Sequence, residues 1–405
     1  MELLKALAQH TDEPGRLTRL YLSPAHRQAA EATRAMMQDA GLAARIDALG
    51  SVAGRWDGQH PEQPALLVGS HIDTVVNAGR FDGTLGVVLG IVSIEALRAE
   101  GFTPSCPIEV LAFGDEENAR FPTNLSTAHA LAGCYDPSWL DGRDAEGVSL
   151  REALAAFGGD PGGIDALARR PGSVRGYLEV HIEQGPLLEA ENKSLGVVTA
   201  INGISRARMV VSGEAGHAGT VPMTMRRDAL AAAAEMIATV ERIGARRADT
   251  VATVGVARVE PNAVNVIPAE VNWTLDARAP NDAVRTEMVN AIIAECEDVA
   301  RRRGVALTVE LFMDSPATPM DARLAAVLGE ACRAIGEEPL SLASGAGHDA
   351  VAMARLCPVA MLFVRCKGGI SHNPAESIAE ADADIAVRVL IEAVRRLAAQ
   401  PSWNR

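Results

Sequence analysis

Two short segments early in the chain carry histidine and carboxylate side chains at spacings that suit a divalent cation. Gly69-Ser-His-Ile-Asp-Thr-Val75 contains His71 and, two residues later, Asp73. That spacing lets the Asp73 carboxylate support one imidazole nitrogen while the other nitrogen faces a metal ion. Asp82 follows within Arg80-Phe-Asp-Gly-Thr84 and directly precedes a predicted helix, so capping the helix N-terminus is the simpler interpretation of this residue alone.

Three consecutive acids lie in the segment Phe113-Gly-Asp-Glu-Glu-Asn118, at the end of a predicted strand. Adjacent carboxylates repel one another, so the cluster is costly unless a cation or a proton relieves it. A solvated acidic loop is the alternative interpretation. In the functional interpretation two adjacent carboxylates divide the work, with one binding metal and the other transferring protons.

Two further histidines occupy comparable positions. His181 lies in Glu179-Val-His-Ile-Glu-Gln-Gly185, which alternates as a strand does, and a lone histidine there would more often belong to the core. His372 lies in Gly369-Ile-Ser-His-Asn-Pro374, a short loop after an apolar run. Nitrogen and oxygen ligands without a thiolate suit a pair of divalent ions, Zn²⁺ or Mn²⁺, bridged by one carboxylate. The candidate metal ligands are His71, Asp82, Glu117, His181 and His372.

Apolar runs predict the elements that position these residues. Pro64–Gly69 and Ile108–Phe113 are predicted strands, and Gly86–Glu100 between them is a predicted helix. A strand–helix–strand unit implies parallel pairing in a sheet covered by helices, and Pro358–Val364 would join that sheet. The carboxyl ends of parallel strands share one edge, where ligands collect. Residues 1–50 are predicted to be helical.

A middle block shows a different pattern, with the order βαββαβ of a ferredoxin-like layer. We therefore predict an α/β protein of two domains, in which a discontinuous catalytic domain of residues 1–205 and 320–405 carries an inserted domain of residues 206–319. The predicted elements of the insert are strand Arg206–Gly213, helix Arg226–Ile243, strands Thr250–Val259 and Glu270–Ala277, helix Asp282–Arg303 and strand Ala306–Phe312.

Composition narrows the function classes. The chain has 405 residues, enough for two or three domains at about 150 residues each. Its 38 basic against 52 acidic residues give a net charge of −14, which opposes binding to nucleic acid. Six cysteines lack any Cys-x-x-Cys pair, and no apolar run approaches the ~18 residues of a membrane span. These features predict a cytoplasmic protein with reduced thiols and no membrane partner.

Four residues outside the ligand set are further candidates. His217 lies in a glycine-flanked loop of the predicted insert, and His348 lies in a similar loop of the main domain; for each, a simple turn is the alternative. Asn265 and Arg278 bracket one predicted strand of the insert. The guanidinium of Arg278 could bind a substrate carboxylate, although a surface Arg–Asp pair is simpler.

In combination these motifs resemble the amidase branch of the zinc aminoacylase and carboxypeptidase family. Within it the chain is similar to the group of allantoate amidohydrolases, N-carbamoyl-L-amino acid hydrolases and β-ureidopropionases. The motifs run in the family order from about residue 65 to 380, and His-Ile-Glu-Gln-Gly-Pro from His181 onward is specific to this group. The resemblance implies a zinc-exopeptidase-like α/β/α catalytic domain with an inserted lid domain through which two copies form a homodimer.

The resemblance also implies roles for the candidate residues. His71, Asp82 and His181 would hold one metal ion, and Asp82, Glu117 and His372 the other, with Asp82 as the bridge. Glu116 would be the general base, and His217 would stabilise the oxyanion in the partner's active site. Positions that contact substrate in the family correspond to Gln184, Asn265, Arg278 and His348.

The implied activity is hydrolysis of the terminal ureido group of a small carboxylated substrate, with release of ammonia and carbon dioxide. Allantoate is favoured because Ala215-Gly-His-Ala-Gly-Thr-Val-Pro222 is more similar to allantoate enzymes than the Asn-His-Ala-Gly-Thr-Thr-Pro form of carbamoyl-amino-acid hydrolases. An N-carbamoyl-L-amino acid hydrolase is the main alternative, followed by a β-ureidopropionase, a ureidoglycolate amidohydrolase or a metalloexopeptidase. A metal-dependent binding protein without turnover would need a missing base or ligand, and none is missing.

Overall fold

A computed structural model describes residues 1–399 as a mixed α/β protein, which confirms the predicted fold class. The chain separates into two compact units. Unit 1 comprises Met1–Thr199, Met320–Leu342 and residues 347–399, and unit 2 comprises Ala200–Pro319 and Ala343–Ala346. Residues 200–205, which the sequence prediction assigned to the catalytic domain, fall in unit 2 because its first long strand already begins at Gly203.

Within the described residues, the helices and strands are as follows. The helices are α1 Glu2–Leu7, α2 Pro24–Asp39, α3 Thr84–Ala99, α4 Ser126–Leu131, α5 Leu150–Phe157, α6 Leu187–Ala190, α7 Ala229–Gly244, α8 Asp282–Arg303, α9 Ala322–Ala334, α10 Ala350–Met353 and α11 Glu380–Ala398. The strands are β1 Ala43–Ile46, β2 Val52–Trp56, β3 Ala65–His71, β4 Ile108–Phe113, β5 Val174–Ile182, β6 Leu195–Ile201, β7 Gly203–Ser212, β8 Gly216–His217, β9 Val251–Glu260, β10 Val266–Ile267, β11 Glu270–Ala279, β12 Ala306–Ser315, β13 Thr318–Pro319, β14 Leu340–Ser344 and β15 Val359–Val364. Short 3₁₀ helices lie at Pro137–Asp141, Pro161–Leu167, Met223–Met225 and Lys367–Gly369.

The largest sheet has the strand order β1-β2-β4-β3-β5-β15-β6-β13, with β14 beside β6. Its four central strands, β4, β3, β5 and β15, run parallel, while the outer pairs are antiparallel. The predicted strands at Pro64–Gly69, Ile108–Phe113 and Pro358–Val364 are therefore all present as the centre of a mainly parallel sheet. Every residue of β3, β4, β5 and β15 is buried. Burial on both faces explains why β3, β4 and β15 appear in the sequence as nearly continuous apolar runs, whereas β5 also carries Arg175, Glu179 and His181.

Close packing around β3 fixes where its carboxyl end lies. A Cβ atom at Gly69 would come within 2.6 Å of the Leu111 carbonyl oxygen on β4, so only glycine fits at that point of the strand. Helix α3 packs against β3 and α11, and its residues from Thr84 to Ile91 are all buried. Strand and helix together hold the intervening segment, which contains Asp82, between two buried elements.

The N-terminal region differs from its prediction. Helices α1 and α2 are present, but Ala43–Ile46 is strand β1 and not helix. Its four residues alternate between exposed and partly buried, which is the pattern of an edge strand, and β1 pairs antiparallel with β2. Four residues are too few for this alternation to be distinguished in the sequence from the end of an Ala-rich helix.

Unit 2 contains a four-stranded sheet in the order β12-β7-β11-β9, with every neighbouring pair antiparallel. Helices α7 and α8 pack on this sheet and on each other. Its core includes Trp273 on β11, which is 1% exposed, and Ile292 on α8, which is fully buried. The strands and helices follow the βαββαβ order that the sequence predicts for residues 206–319.

All six cysteines are free thiols, and Cys134 is the exposed one. The helices in the described part of the chain all fall short of the length and apolar character that a membrane crossing requires.

Candidate metal centre

The parallel strands of unit 1 bring the predicted ligands to one edge of the sheet. His71 is the last residue of β3, and it pairs with Phe113, the last residue of β4. On β5, His181 pairs with Phe363 of β15. The acidic segment starts two residues after Phe113, and the loop that carries His372 follows β15. Because these strands are parallel, their carboxyl ends meet and the side chains converge.

The first group of ligand atoms joins His71, Asp82 and His181, which are all buried. The Nε2 atom of His181 lies 3.1 Å from Asp82 Oδ1, and the Nε2 atom of His71 lies 3.5 Å from the same oxygen. The two Nε2 atoms are 3.4 Å apart. One carboxylate oxygen thus faces two imidazole nitrogens across a space that suits a single cation.

Asp82 does not cap helix α3, which corrects the simpler interpretation of its sequence position. The helix begins at Thr84 with Gly83 as its N-cap, and no side chain makes a capping hydrogen bond. Gly83 has φ of 62°, and a Cβ atom there would come within 2.3 Å of His71 Nε2. Glycine is required at this position because any side chain would fill the space between the ligands.

The second group joins Asp82, Glu117 and His372. His372 Nε2 lies 3.3 Å from Glu117 Oε2 and 3.5 Å from Asp82 Oδ2. Asp82 therefore belongs to both groups, with Oδ1 toward the first and Oδ2 toward the second. His372 is itself held at φ of 53°, and half of its side chain is exposed, so this group is the more open of the two.

The donor set fits a divalent cation by its hydrogen bonding as well as by its spacing. His71 Nδ1 lies 3.1 Å from the Asp73 carbonyl oxygen, and His181 Nδ1 lies 2.9 Å from the Ile182 carbonyl oxygen. A carbonyl can only accept, so each Nδ1 carries the proton and each Nε2 presents a lone pair to the shared space. Two lone pairs and a carboxylate oxygen facing one another are stabilised by a cation between them.

Glu116 belongs to a third group of ligand-type atoms, together with His71 and Glu117, but not to either of the two groups that share Asp82. Its Oε2 atom is 3.8 Å from His71 Nε2, and its side chain is 11% exposed. Burial, together with the carboxylates of Asp349 and Asp73, raises the pKa of Glu116 well above its ordinary value. Burial and the neighbouring Glu116 and Asp82 carboxylates likewise raise the pKa of Glu117. Asp115 is fully buried, and the side chains of Glu116 and Glu117 are only 11% and 5% exposed, so the alternative of a solvated acidic loop is wrong.

Several side chains hold the ligands without occupying the shared space. The Asp73 carboxylate accepts hydrogen bonds from the backbone N–H groups of Glu116 and Glu117, both at 3.1 Å, and lies 3.4 Å from His71 Nδ1. Ser371 donates to Asp82 Oδ2 at 2.5 Å. Gln184, predicted to contact substrate, also donates to Asp82 Oδ2, at 2.8 Å.

Glu376 was not singled out from the sequence, although it lies in the same segment as His372. Its Oε1 atom accepts hydrogen bonds from the backbone N–H groups of Phe81 and Asp82, at 2.7 and 3.1 Å. It therefore ties the His372 loop to the Asp82 loop. A carboxylate four residues after a candidate ligand is the only signal in the sequence, and such a residue usually lies at the surface.

Two buried carboxylates lie close in the chain to His181 and His348, and they are Glu179 and Asp349. Glu179 accepts from Ser70 Oγ at 3.2 Å and from the Ala350 N–H at 2.9 Å. Burial and the Glu179 carboxylate raise the pKa of Asp349 well above its ordinary value. His348, predicted to contact substrate, is 1% exposed, and its ring packs edge-on against His181 with 4.5 Å between ring centres.

The remaining candidates lie in unit 2. His217 is exposed on β8, and Asn265 directly precedes β10, which pairs with β8. The Asn265 carbonyl accepts from the Ala218 N–H at 3.0 Å, so the His217 loop and Asn265 are neighbours. Arg278 bonds to both carboxylate oxygens of Asp276, at 2.7 and 3.1 Å, so the simpler Arg–Asp pair is indeed formed.

A cluster of histidines and carboxylates at the carboxyl ends of parallel strands is typical of metal-dependent hydrolases. The chain belongs to peptidase family M20/M25/M40, whose model matches residues 67–396. This family is metal-dependent and hydrolyses amide C–N bonds.

Individual relatives agree with the family assignment. The chain is 40% identical to an N-carbamoyl-L-amino acid amidohydrolase of Geobacillus stearothermophilus, over 95% of this chain and 94% of that protein. It is 40% identical to a probable allantoate deiminase of Oryza sativa subsp. japonica, over 94% of this chain and 84% of that protein. A crystal structure of a hydantoinase/carbamoylase family amidase from Burkholderia multivorans superposes with a TM-score of 0.92 at 32% identity, covering 99% of this chain and 97% of that one. The chain is thus an amidohydrolase of this family.

Removal of a ligand imidazole tests the metal centre. We expect His71→Ala and His372→Ala to bind divalent metal more than about 100-fold more weakly than the unchanged protein, because loss of even a supporting hydrogen bond costs about 10- to 100-fold. Both variants should stay folded but lose activity. Metal content after dialysis, measured by inductively coupled plasma mass spectrometry, gives the first result and circular dichroism the second.

His60→Ala is the matched control, since His60 is an exposed histidine that lies 3.7 Å from Glu62 and outside the cluster. It should keep the metal content of the unchanged protein. Full activity of His372→Ala in a metal-free preparation would contradict a role for this cluster in catalysis.

Proposed function

We propose that this amidohydrolase cleaves the terminal ureido C–N bond of a small carboxylated substrate and releases ammonia and carbon dioxide. Allantoate is the substrate that we propose first. The observation that carries the proposal is the shared carboxylate of Asp82, which faces two groups of ligand-type atoms with Glu116 beside them. The names of the relatives, allantoate deiminase and N-carbamoyl-L-amino acid amidohydrolase, support the substrate class.

The two groups would hold two divalent ions, Zn²⁺ or Mn²⁺. His71, Asp82 and His181 would bind one ion, and Asp82, Glu117 and His372 would bind the other. Nitrogen and oxygen donors without a thiolate suit either metal. When bound, such ions supply Lewis acidity, which lowers the pKa of water and polarises a carbonyl oxygen.

Glu116 would move the proton that the hydrolysis requires. Its carboxylate accepts a proton from the water that attacks the carbamoyl carbon, and it then delivers that proton to the leaving nitrogen. The terminal C–N bond breaks as its nitrogen leaves as ammonia, and the carbamate left on the inner nitrogen then decomposes to carbon dioxide and the free amine of the remaining substrate. Glu116 suits this role because Glu117, and not Glu116, completes the group of Asp82 and His372.

Arg278 would bind the substrate carboxylate. Three of its N–H groups are bonded, two to Asp276 and one to the Gly345 carbonyl at 2.6 Å. An arginine has five such donors, so two remain for a ligand, and Asp276 holds the guanidinium in a fixed orientation. Gln184, Asn265 and His348 are the other proposed substrate contacts.

The choice between allantoate and an N-carbamoyl-L-amino acid rests on one loop. Identity to relatives with either name is the same, 40%, and therefore favours neither. The segment Ala215–Pro222 has valine before its proline, as in the allantoate form of the motif. An N-carbamoyl-L-amino acid hydrolase is the second candidate, because relatives of that name match over 92–95% of this chain.

Ammonia release from a panel of substrates tests the proposed specificity. With Mn²⁺ or Zn²⁺ added, kcat/KM for allantoate should exceed that for N-carbamoyl-L-amino acids, β-ureidopropionate and ureidoglycolate by at least about tenfold, since a site built around two polar ends of a substrate discriminates strongly. A carbamoyl amino acid as the best substrate would establish the second candidate. Cleavage of dipeptides alone would contradict both.

Replacement of Glu116 tests its role as the base. Glu116→Gln should retain bound metal but lose kcat by about 10²- to 10⁴-fold, because the amide has no basic site while its size is unchanged. Stopped-time ammonia assays and metal analysis measure the two effects. Glu191→Gln, on the exposed surface, is the matched control and should keep full turnover. If kcat is unchanged in Glu116→Gln, a residue other than Glu116 is the general base.

We also propose that two copies pair through unit 2 and that His217 stabilises the oxyanion in the partner's active site. Strands β9 and β12 are the two edges of the unit 2 sheet, each of ten residues, and they carry the exposed apolar side chains Val251, Val256, Leu311 and Phe312. Long apolar edge strands are typical sites of association. The exposed position of His217 on β8 is compatible with action outside its own chain.

Mixing inactive subunits tests this arrangement. Glu116→Gln and His217→Ala subunits should each be inactive alone and should regain activity when mixed, because a mixed dimer has one site with both residues intact. Random exchange gives about half mixed dimers with one working site of two, so the ceiling is roughly a quarter of the normal activity. Native mass spectrometry shows whether the subunits have exchanged. If they have exchanged and activity does not recover, His217 serves its own chain or only shapes a turn.

A further inference from the structure

Asn118 directly follows the two glutamates of the acidic segment, and it is exposed. Its φ is 51°, in the left-handed region that glycine and asparagine adopt more readily than other residues. A residue other than glycine stays in this region where the surrounding contacts hold it there. The contacts of the Asn118 side chain therefore show what its conformation does for the segment.

The side-chain amide of Asn118 joins two backbone groups that lie far apart in the chain. Its Nδ2 donates to the carbonyl oxygen of Glu116 at 2.8 Å, and its Oδ1 accepts the N–H of Leu125 at 3.2 Å. A carbonyl oxygen accepts and an N–H donates, so these two partners define the orientation of the amide. One side chain thus connects the Glu116 carbonyl with the residue that precedes helix α4.

Leu125, at the other end of this connection, is a firm point of attachment. It is 4% exposed, and it is the N-cap residue of α4 with φ of 49° and without a capping side chain. Its N–H lies in a partly buried position, where loss of the Asn118 acceptor would be costly. The contact therefore stabilises both the acidic segment and the start of the helix.

Helix α4 also holds the first residues of the acidic segment. Thr127 Oγ1 accepts the Gly114 N–H at 3.3 Å, and Ser126 Oγ donates to the Asp115 carboxylate. Both contacts lie before Glu116 in the chain. The connection through Asn118 extends this attachment past Glu116.

Asn118 and Asp73 hold the peptide between Glu116 and Glu117 from two sides. Asp73 Oδ2 accepts the N–H of Glu117 at 3.1 Å, and Asn118 binds the carbonyl oxygen of Glu116 in the same peptide unit. In a planar trans peptide the C=O and N–H bonds point in opposite directions. Two hydrogen bonds on opposite sides therefore restrict rotation of this peptide, and its orientation determines where the Glu116 side chain is directed.

We propose that Asn118 is a positioning residue for Glu116. Its amide fixes the Glu116–Glu117 peptide against helix α4 and so keeps the Glu116 carboxylate beside the metal cluster. The inference rests on the proposed function, in which Glu116 is the general base. Asn118 itself transfers no proton and acts through Glu116. Because a displacement of about 1 Å in a catalytic group can lower a rate about 100-fold, two hydrogen bonds are enough to affect kcat.

Replacement of Asn118 by glycine tests the inference. Asn118→Gly removes both side-chain hydrogen bonds but keeps the backbone conformation, because glycine adopts positive φ without strain. We expect kcat to fall about tenfold while KM stays within about twofold and the metal content is unchanged, since the metal ligands and the proposed substrate contacts remain in place. Ammonia release from the substrate of the panel that is hydrolysed fastest measures both constants.

Asn192→Gly is the matched control, because Asn192 is an exposed asparagine with φ of 50° that lies outside the acidic segment. It should keep the kcat of the unchanged protein. If Asn118→Gly also keeps that kcat, the inference is overturned.

A double variant distinguishes action through Glu116 from general loosening of the segment. Asn118→Gly combined with Glu116→Gln should have the same kcat as Glu116→Gln alone, within about twofold, because a positioning residue has no effect once the group that it positions is absent. A further loss of about tenfold in the double variant would show that Asn118 acts independently of Glu116, and it would overturn the inference.

Hydrogen exchange of the Leu125 amide tests the connection without reference to the reaction. In Asn118→Gly this amide should exchange about fivefold faster or more, because its acceptor is lost, while the Gly114 amide should change less than about twofold. Mass spectrometry with residue-level fragmentation measures both amides. Unchanged exchange at Leu125 would overturn the inference whatever the kinetics show.

The two kinds of failure are distinguishable. If Leu125 exchanges faster and both Asn118→Gly and Glu116→Gln keep full kcat, the assignment of Glu116 as the base is wrong and the inference fails with it. If Glu116→Gln loses kcat and Asn118→Gly does not, the inference alone fails.

Discussion

The site depends on one buried carboxylate that is shared in two directions. Asp82 is 3% exposed, and its Oδ1 faces two imidazole nitrogens while its Oδ2 faces His372 Nε2. A carboxylate removed from water is stable only when both oxygens are bonded or balanced by positive charge. The segments around Asp82 meet this requirement, because they bring hydrogen-bond donors or potential metal ligands to the two carboxylate oxygens of Asp82.

The backbone around Gly83 also keeps the space between Asp82 and the histidines open. Gly83 leaves the space next to His71 free, and the helix that follows starts without a side-chain cap because the preceding carboxylate is directed to the cluster. Glu376 accepts the Phe81 and Asp82 N–H groups and so fixes the loop that leads into helix α3. An N-cap side chain stabilises a helix by about 1 kcal/mol, and helix α3 lacks this contribution.

Several carboxylates surround the cluster, and bound metal cations would balance their negative charge. Asp73, Glu116, Glu117, Glu179 and Asp349 all lie in the segments that form it, and burial shifts the pKa of four of them upward. Asp73 is the exception, because its oxygens accept two backbone N–H groups and face His71, and these contacts lower its pKa against the effect of burial. Acids in such numbers repel one another, and divalent cations are the simplest source of compensation.

The sequence by itself determined which residues could act and on which strands they lie. Continuous apolar runs mark buried parallel strands, and His71 and the Asp115–Glu117 segment stand at the ends of two of them. Tertiary structure alone decided that Asp82 bridges two groups and does not cap α3, that Arg278 is held by Asp276, and that Glu376 joins two loops. Those contacts link residues that lie far apart in the chain or depend on side-chain direction, and local pattern contains no information on either.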